Sequence, residues 1–203
     1  MIKNIIFDFG NVLTQYDPVA WASQLMGGDT KKGSYLHEKT INNKKIWNDY
    51  DAGLCSEKQV IDRLCDDIEP EYHKAVTEFV TTVDKCFDQY DQMVPILQQL
   101  KDKGLHLFLL SNFPKEMFKR VSVRCPILDL LDEKIVSCDI HLIKPHKEIF
   151  EYILNTYCLR ADQTLFTDDM KINTDAAMKA GMHAHTFTTA QNFTDHLKAI
   201  GIF

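Results

Sequence analysis

Residues 2–11 read IKNIIFDFGN, an apolar run that stops at Asp8 and passes into a glycine–asparagine turn. A short apolar run bounded by turn residues is typical of a buried strand. In parallel α/β sheets, the carboxyl ends of the strands form the edge where ligands bind. This stretch therefore predicts a buried strand that places the carboxylate of Asp8 at a binding edge.

The chain repeats this pattern of a short apolar run followed by a helical pattern. The further predicted strands lie at residues 105–110, 135–137, 164–167 and 183–187. Strands that alternate with helices predict a parallel sheet with helices on both faces. We therefore expect an α/β protein with a Rossmann-like core.

The segment from residue 15 to residue 91 differs, because its periodicity indicates helices and no strand. Within it, Ser56 and Gln59 have the spacing of a capping box, which marks the start of a helix. A helical segment placed between the first two predicted strands is interpreted as an insertion into the core. We therefore predict an α/β core of residues 1–14 and 92–203, and an inserted helical cap domain of residues 15–91.

Reactive side chains follow four stretches of the predicted core. They are Asp8, the pair Ser111-Asn112, Lys144, and the pair Asp168-Asp169. Each alone is typical of a loop or a helix cap, but four complementary groups at one predicted edge indicate a site.

Phosphoryl transfer needs this combination of groups, because a phosphate monoester repels a nucleophile unless its charge is neutralised. A carboxylate can attack phosphorus when a divalent metal bridges it to a phosphoryl oxygen. Magnesium prefers oxygen ligands, which Asp8, Asp168 and Asp169 can supply. The residues therefore predict a magnesium-dependent phosphatase site in which Ser111 and Lys144 contact the phosphate.

The same residues lie in four motifs that resemble those of the haloacid dehalogenase superfamily of phosphatases, in the same order. The motifs are FDFGNVL at 7–13, LLSNF at 109–113, IKPHKEIF at 143–150 and FTDDMKIN at 166–173. The stretch 51–60 resembles the helical cap that this superfamily inserts after its first motif. Within the superfamily, the sequence resembles the subgroup that contains glucose-1-phosphate phosphatases and the phosphatase domain of bifunctional epoxide hydrolases.

The resemblance implies a role for each motif residue. Asp8 would be the nucleophile that forms a phosphoaspartyl intermediate. The implied magnesium ligands are Asp8, the backbone carbonyl of Gly10, Asp169 as the direct acidic ligand, and Asp168 as a second ligand or a supporting partner. The implied substrate-binding residues are Ser111, Asn112 and Lys144.

Gly10 departs from the family pattern, which usually has a second aspartate at this position as general acid and base. General acid–base catalysis contributes roughly 10²–10⁴-fold to rate, so its loss requires compensation. We expect a substrate with a good leaving group, such as an anomeric or acyl phosphate. A hexose 1-phosphate fits this expectation, and slower cleavage of the 6-phosphate would agree with it.

Three other functions share parts of this pattern. A 2-haloacid dehalogenase also uses an aspartate nucleophile and lacks the second aspartate, but it needs no metal, so the Asp168-Asp169 pair disfavours it. A receiver domain has its acidic pair before the acceptor aspartate, which excludes it. Because of Gly10, a non-catalytic protein that binds a phosphorylated metabolite remains an alternative.

Composition narrows the range of partners. The net charge of −6 disfavours nucleic-acid binding, and no apolar run is long enough for a membrane span. The six cysteines include no C-x-x-C pair, so reduced thiols are expected. We expect a cytoplasmic protein that binds a small phosphorylated substrate, with no nucleic-acid or membrane partner. Its oligomeric state is not indicated.

Overall fold

The computed structural model describes residues 1–203 and contains seven strands in two sheets. The strands are β1 (Asn4–Phe7), β2 (Thr14–Tyr16), β3 (Phe87–Gln89), β4 (His106–Ser111), β5 (Glu133–Val136), β6 (Thr164–Asp168) and β7 (His183–Thr186). Five of them form a parallel sheet in the order β5-β4-β1-β6-β7. The five strands predicted from the apolar runs are confirmed, and so is the α/β class.

Eleven α-helices surround and cap this sheet. They are α1 (Pro18–Leu25), α2 (Thr30–Lys39), α3 (Lys44–Asp51), α4 (Glu57–Cys65), α5 (His73–Thr82), α6 (Met93–Asp102), α7 (Lys115–Ser122), α8 (Ser137–Ile140), α9 (Lys147–Thr156), α10 (Lys171–Lys179) and α11 (Ala190–Ala199). The capping box predicted at the start of α4 is confirmed, with both reciprocal hydrogen bonds present. No helix combines the length and the apolar character that crossing a bilayer requires.

The central strand β1 is covered by apolar side chains on both faces of the sheet. All four of its residues are buried, and successive side chains point to opposite sides of the sheet. Ile5 and Phe7 join a large apolar cluster that continues into the helices between β2 and β3, whereas Ile6 joins a smaller cluster against α9 and α10. The central strand is therefore fixed between two apolar layers.

The prediction that residues 15–91 lack strands is wrong at both ends of the segment. Strands β2 and β3 pair antiparallel there, with Thr14 opposite Gln89. Each has only three residues, too few for a period-two pattern to be recognised in the sequence. Between them the chain forms only helices, α1 to α5 and two short 3₁₀ turns. The assignment of this segment as a separate cap domain stays a prediction.

Candidate active site

Three adjacent strands deliver the predicted site residues to one edge of the sheet. Strand β1 lies between β4 and β6, and the three run parallel. Asp8 follows β1, Ser111 ends β4, and Asp168 ends β6. Because the strands are in register, the structure brings together side chains that are up to 160 residues apart in sequence.

Lys144 connects two of the carboxylates. Its side chain is almost fully buried, and its Nζ lies 2.7 Å from Asp8 Oδ1 and 2.7 Å from Asp168 Oδ2. Burial would lower the pKa of Lys144, but attraction by Asp168 and Asp8 outweighs burial and raises the pKa. The lysine is therefore held as a cation beside the predicted nucleophile.

Asp168 is surrounded by hydrogen-bond donors. Its Oδ1 accepts from the backbone N–H of Met170 at 2.8 Å and from Asn173 Nδ2 at 3.0 Å. Its Oδ2 accepts from the same amide at 3.0 Å and from Lys144 at 2.7 Å. The residue is fully buried. Of the two roles that the sequence left open, these contacts favour the supporting partner that positions the lysine.

Asp169 faces the cavity next to Asp8. Its Oδ2 accepts a hydrogen bond from Asn11 Nδ2 at 3.0 Å. Asn11 adopts a left-handed backbone conformation with φ 56°, which asparagine tolerates better than most residues. Burial raises the pKa of Asp169, and so does the neighbouring Asp168. The hydrogen bond from Asn11 lowers this pKa but does not outweigh the other two causes.

The charge and the oxygen atoms of the acidic groups suit a divalent cation. Carboxylate oxygens of Asp8, Asp168 and Asp169 lie within 4.8 Å of one another. Lys144 is the single cation paired with them. Burial raises the pKa of Asp8 to about 7. Repulsion from Asp168 and Asp169 also raises this pKa, whereas the attraction of Lys144 lowers it. The excess of carboxylates over cations and the all-oxygen donors of this cluster fit magnesium.

The side chain of Asn112 is hydrogen-bonded to the backbone of Lys144. Its side-chain amide donates to the Lys144 carbonyl at 2.9 Å, and its carbonyl accepts from the Lys144 N–H at 2.8 Å. The Asn112 side chain therefore fixes the backbone of Lys144. If Asn112 contacts a phosphate, it would do so through its own backbone N–H. Ser111 is 2% exposed and lines the same cavity.

A cavity of about 500 Å³ lies over these groups. We call one group of residues the floor of this cavity; its members are the lining residues Asp8, Ser111, Lys144 and Asp169, together with Asp168, which is buried beneath them and pairs with Lys144. The opposite side, the cap wall, comes from α2, α3 and the turn between them, and its members are His37, Ile41, Asn42, Lys44, Trp47, Asn48 and Asp51. Gly10 also lines this cavity.

The apolar part of the lining comes from both sides. Its members are Tyr16, Ile41, Trp47, Phe87, Phe113, Met117, Met170 and Ile172. Trp47 is buried and also packs edge-to-face against Tyr50, so it serves the interior of the helical segment as well as the cavity. A ligand in this space meets charges at the floor and carbon-rich surfaces above it.

The sequence did not indicate that Asn11 bonds to Asp169, that Asn173 bonds to Asp168, or that Asp51 lines the cavity. The first two lie within the recognised motifs, where the spacing of Asn173 after the acidic pair was the available signal. Asp51 begins the stretch 51–60 that resembles the family's cap, but its place in the cavity lining depends on how α3 packs over the core.

Comparison with known proteins supports the same assignment of fold. A sequence profile of the family described as haloacid dehalogenase-like hydrolase matches residues 5–187. The sesquiterpene phosphatase astK of Aspergillus oryzae is 27% identical over 180 residues, which cover 89% of this chain and 87% of that protein.

Two solved structures share the architecture. A haloacid dehalogenase family enzyme from Bacteroides thetaiotaomicron, in complex with magnesium and inorganic phosphate, has a TM-score of 0.72 at 21% identity, covering 93% of this chain and 95% of that one. L-2-haloacid dehalogenase from Xanthobacter autotrophicus with chloropropionic acid covalently bound has a TM-score of 0.68 at 16% identity, covering 100% and 85%. Likeness at these identities establishes the fold and leaves the chemistry to the site residues.

Proposed function

We propose that this chain, which belongs to the haloacid dehalogenase-like hydrolase family, is a magnesium-dependent phosphatase that cleaves a small phosphomonoester through a phosphoaspartyl intermediate on Asp8. Membership confirms the resemblance drawn from the four motifs. The finer proposal is carried by one observation: Asp8 lies 2.7 Å from a buried lysine and within a cluster of three carboxylates. A metal-independent attack on carbon gives such a cluster no purpose.

The chemistry has two displacements at phosphorus. Asp8 attacks with one carboxylate oxygen, the bond from phosphorus to the leaving oxygen breaks, and the alcohol departs. Water then attacks the phosphorus of the phosphoaspartate, which releases phosphate and restores Asp8. Bound magnesium supplies Lewis-acid polarisation of a phosphoryl oxygen.

The protein groups position and stabilise these steps. Asp8, Asp169 and the carbonyl of Gly10 would hold the metal, and Asp168 would hold Lys144. The Lys144 ammonium stabilises the Asp8 carboxylate and the negative charge of the phosphoryl group. The Ser111 hydroxyl, which lines the cavity at the end of β4, would donate to a phosphoryl oxygen.

The lining of the cavity favours a substrate with a carbon-rich organic group. Eight apolar residues contribute to it from the core and from the cap wall. The relative astK, by its name, is a phosphatase of sesquiterpenes, which are apolar. An isoprenyl phosphate releases an ordinary alcohol when its P–O bond breaks, so it lacks the good leaving group that the glycine at position 10 leads us to expect. An isoprenyl phosphate therefore fits the apolar lining, and a hexose 1-phosphate fits the leaving-group expectation.

A substrate panel with and without magnesium tests the function. We expect hydrolysis of p-nitrophenyl phosphate that requires magnesium and is abolished by EDTA and by Asp8→Asn. Asp62→Asn is the matched control, because Asp62 is an exposed residue of α4 paired only with Lys58. Equal activity of wild type and Asp8→Asn, or no activity toward any phosphate, would contradict the proposal.

The panel also separates the substrate classes. We expect kcat/KM to fall from an isoprenyl monophosphate to glucose 1-phosphate and then to glucose 6-phosphate, by about tenfold or more at each step. Preferred cleavage of glucose 6-phosphate would contradict the leaving-group interpretation. Chloride release from 2-chloropropionate without magnesium would instead favour the dehalogenase.

A further inference from the structure

Gly10 leaves the site without the side chain that normally exchanges a proton with the leaving group. Space does not explain this absence, because a Cβ at Gly10 would meet only Phe87, at an ordinary distance of 3.9 Å. Outside the floor, four side chains of the cavity lining can titrate. They are Tyr16, His37, Lys44 and Asp51.

Three of these four are poorly suited to the task. Burial raises the pKa of Tyr16 well above its usual range, so the phenol is a weak acid at neutral pH. Burial lowers the pKa of His37, and the charges that act on it are Glu38, Lys44 and Asp17, none of which belongs to the floor. Lys44 is a cation whose charge acts on Asp51.

We propose that Asp51 is the general acid and base of this site, donating a proton to the leaving oxygen and later accepting one from the attacking water. The inference rests on the proposed phosphatase function. It follows from the position of Asp51, which is the only carboxylic acid of the cap wall in the cavity that Asp8 also lines, and whose carboxyl group is close enough to Asp8 and Lys144 to interact with their charges.

The end of α3 is fixed against the core at this point. The Ser137 hydroxyl donates to the Asp51 backbone carbonyl and accepts from the backbone N–H of Phe113 at 2.9 Å. His141 Nδ1 donates to the Ala52 carbonyl at 2.8 Å. Gly53 follows with so little space that a Cβ would lie 2.5 Å from the Cys138 carbonyl oxygen. Asp51 is therefore held by contacts to the segment that leads into Lys144.

The charges around Asp51 come from several elements. Lys44 and the Trp47 side chain lie on its own helix, Lys144 and Asp8 belong to the floor, and Tyr16 and Cys138 face it from β2 and α8. Burial raises its pKa to about 7, the two lysines oppose this, and Asp8 adds to it. A carboxyl group that is partly protonated near neutral pH can serve in both directions.

The proton balance closes over one turnover. When Asp8 displaces the leaving oxygen, the proton of the Asp51 carboxylic acid moves to that oxygen, and the neutral alcohol departs. When water attacks the phosphoaspartate, the Asp51 carboxylate takes a proton from it, and phosphate leaves with the Asp8 carboxylate restored. No other reactant is needed.

Asp51→Asn tests the assignment with two substrates of different leaving group. An alkyl phosphate needs protonation of its leaving oxygen, whereas p-nitrophenolate departs without it. We expect kcat/KM for the alkyl phosphate to fall roughly 10²–10³-fold, and kcat/KM for p-nitrophenyl phosphate to fall less than about tenfold. The fall of alkyl phosphate turnover above about pH 7 in the wild type should disappear in the variant.

Two further variants complete the test. Asp49→Asn is the matched control, because Asp49 lies on the same helix, pairs with Arg63 and does not line the cavity. Gly10→Asp in the Asp51→Asn background should restore alkyl phosphate turnover at least tenfold. Equal losses for both substrates, or no loss, would overturn the role of Asp51, whereas a wild type inactive toward all phosphates would overturn the phosphatase proposal instead.

Discussion

The floor of the cavity and its cap wall surround the same space but are held in place by different interactions. The floor is built from buried charges that pair with one another, with Lys144 shared by Asp8 and Asp168 at 2.7 Å each. The cap wall is built from helices whose interior is apolar, and its contact with the core at Asp51 to Gly53 runs through backbone carbonyls.

This difference separates two tasks. Groups that bind a phosphate must have fixed charge and fixed direction, and strand ends of a parallel sheet provide both. Groups that meet the organic part of a substrate need shape and apolar area, which helix faces provide. Changes to the floor should therefore alter catalysis and stability together, and changes to the wall, apart from Asp51, should alter preference among substrates.

The largest effect is expected at the centre of the floor, from Lys144→Met. Removing the cation leaves Asp8 and Asp168 buried without their shared partner, which typically costs about 3–5 kcal/mol. Phosphatase activity should fall by about 10²-fold or more, since the phosphoryl charge loses a stabilising group. Chemical denaturation and initial rates measure the two effects.

Lys147→Met is the control for that variant. Lys147 pairs with Glu151 on the exposed surface of α9, where an ion pair contributes about 0.5 kcal/mol. Equal costs for the two lysine variants would mean that the floor is not held by its charges.

The next effect is expected where the cap wall meets the floor, from Gly53→Ala. Gly53 has φ +67°, which costs an alanine about 1–2 kcal/mol, and its Cβ would overlap the Cys138 carbonyl at 2.5 Å, which adds about 1–3 kcal/mol. Gly27→Ala isolates the first contribution, because Gly27 has φ +69° and no atom within 4 Å of a Cβ. Similar free energies of unfolding for the two variants would show that the close contact does not fix the wall.

A smaller effect is expected from Asp169→Asn, which keeps an oxygen ligand but removes its charge. The magnesium concentration for half-maximal activity should rise roughly 10–100-fold, with less change in the rate at saturating metal. Asp175→Asn, an exposed partner of Lys171, should leave the metal dependence unchanged. A metal requirement that does not respond to either change would remove Asp169 from the proposed ligands.

The smallest effect is expected outside both regions, at His185 on β7. Its ring stacks on His196 at 4.3 Å, and burial followed by repulsion from His196 lowers its pKa from 6.5 to about 4. The folded state therefore resists protonation, so stability is full above pH 6.5 and falls as the pH drops toward 4.

His185→Phe should remove part of this acid sensitivity. The loss of unfolding free energy between pH 7 and pH 5 should shrink by about 1–2 kcal/mol, after allowance for partial exposure. His183→Gln, at the exposed start of the same strand, serves as the control. An unchanged pH dependence in His185→Phe would place the acid-sensitive group elsewhere, in the floor or the cap wall.

The sequence revealed the floor because its information is local. Each strand of the main sheet is a short apolar run, and Asp8, Ser111 and Asp168 follow directly from where those runs end. Parallel register then brings them together without any further information. The family is shown by the same residues, since a match over residues 5–187 includes all four motifs.

The cap wall and strands β2 and β3 could not be predicted from the sequence, because they depend on contacts between distant segments. Strands β2 and β3 have three residues each and exist only because they pair with each other. Asp51 is one acidic residue among many until α3 packs on the segment after β5. The side chain of Asn112 looked like a phosphate ligand, and only the structure shows it paired with the backbone of Lys144.

Asp168 has a consequence that reaches back to folding. Because the protein's own amides and lysine already satisfy this carboxylate, the ammonium group points toward Asp8 before any anion arrives. Gathering like charges here opposes folding, so the apolar layers around β1 must outweigh that repulsion. In return, an arriving phosphate finds its counter-charge already oriented, and little rearrangement separates binding from reaction.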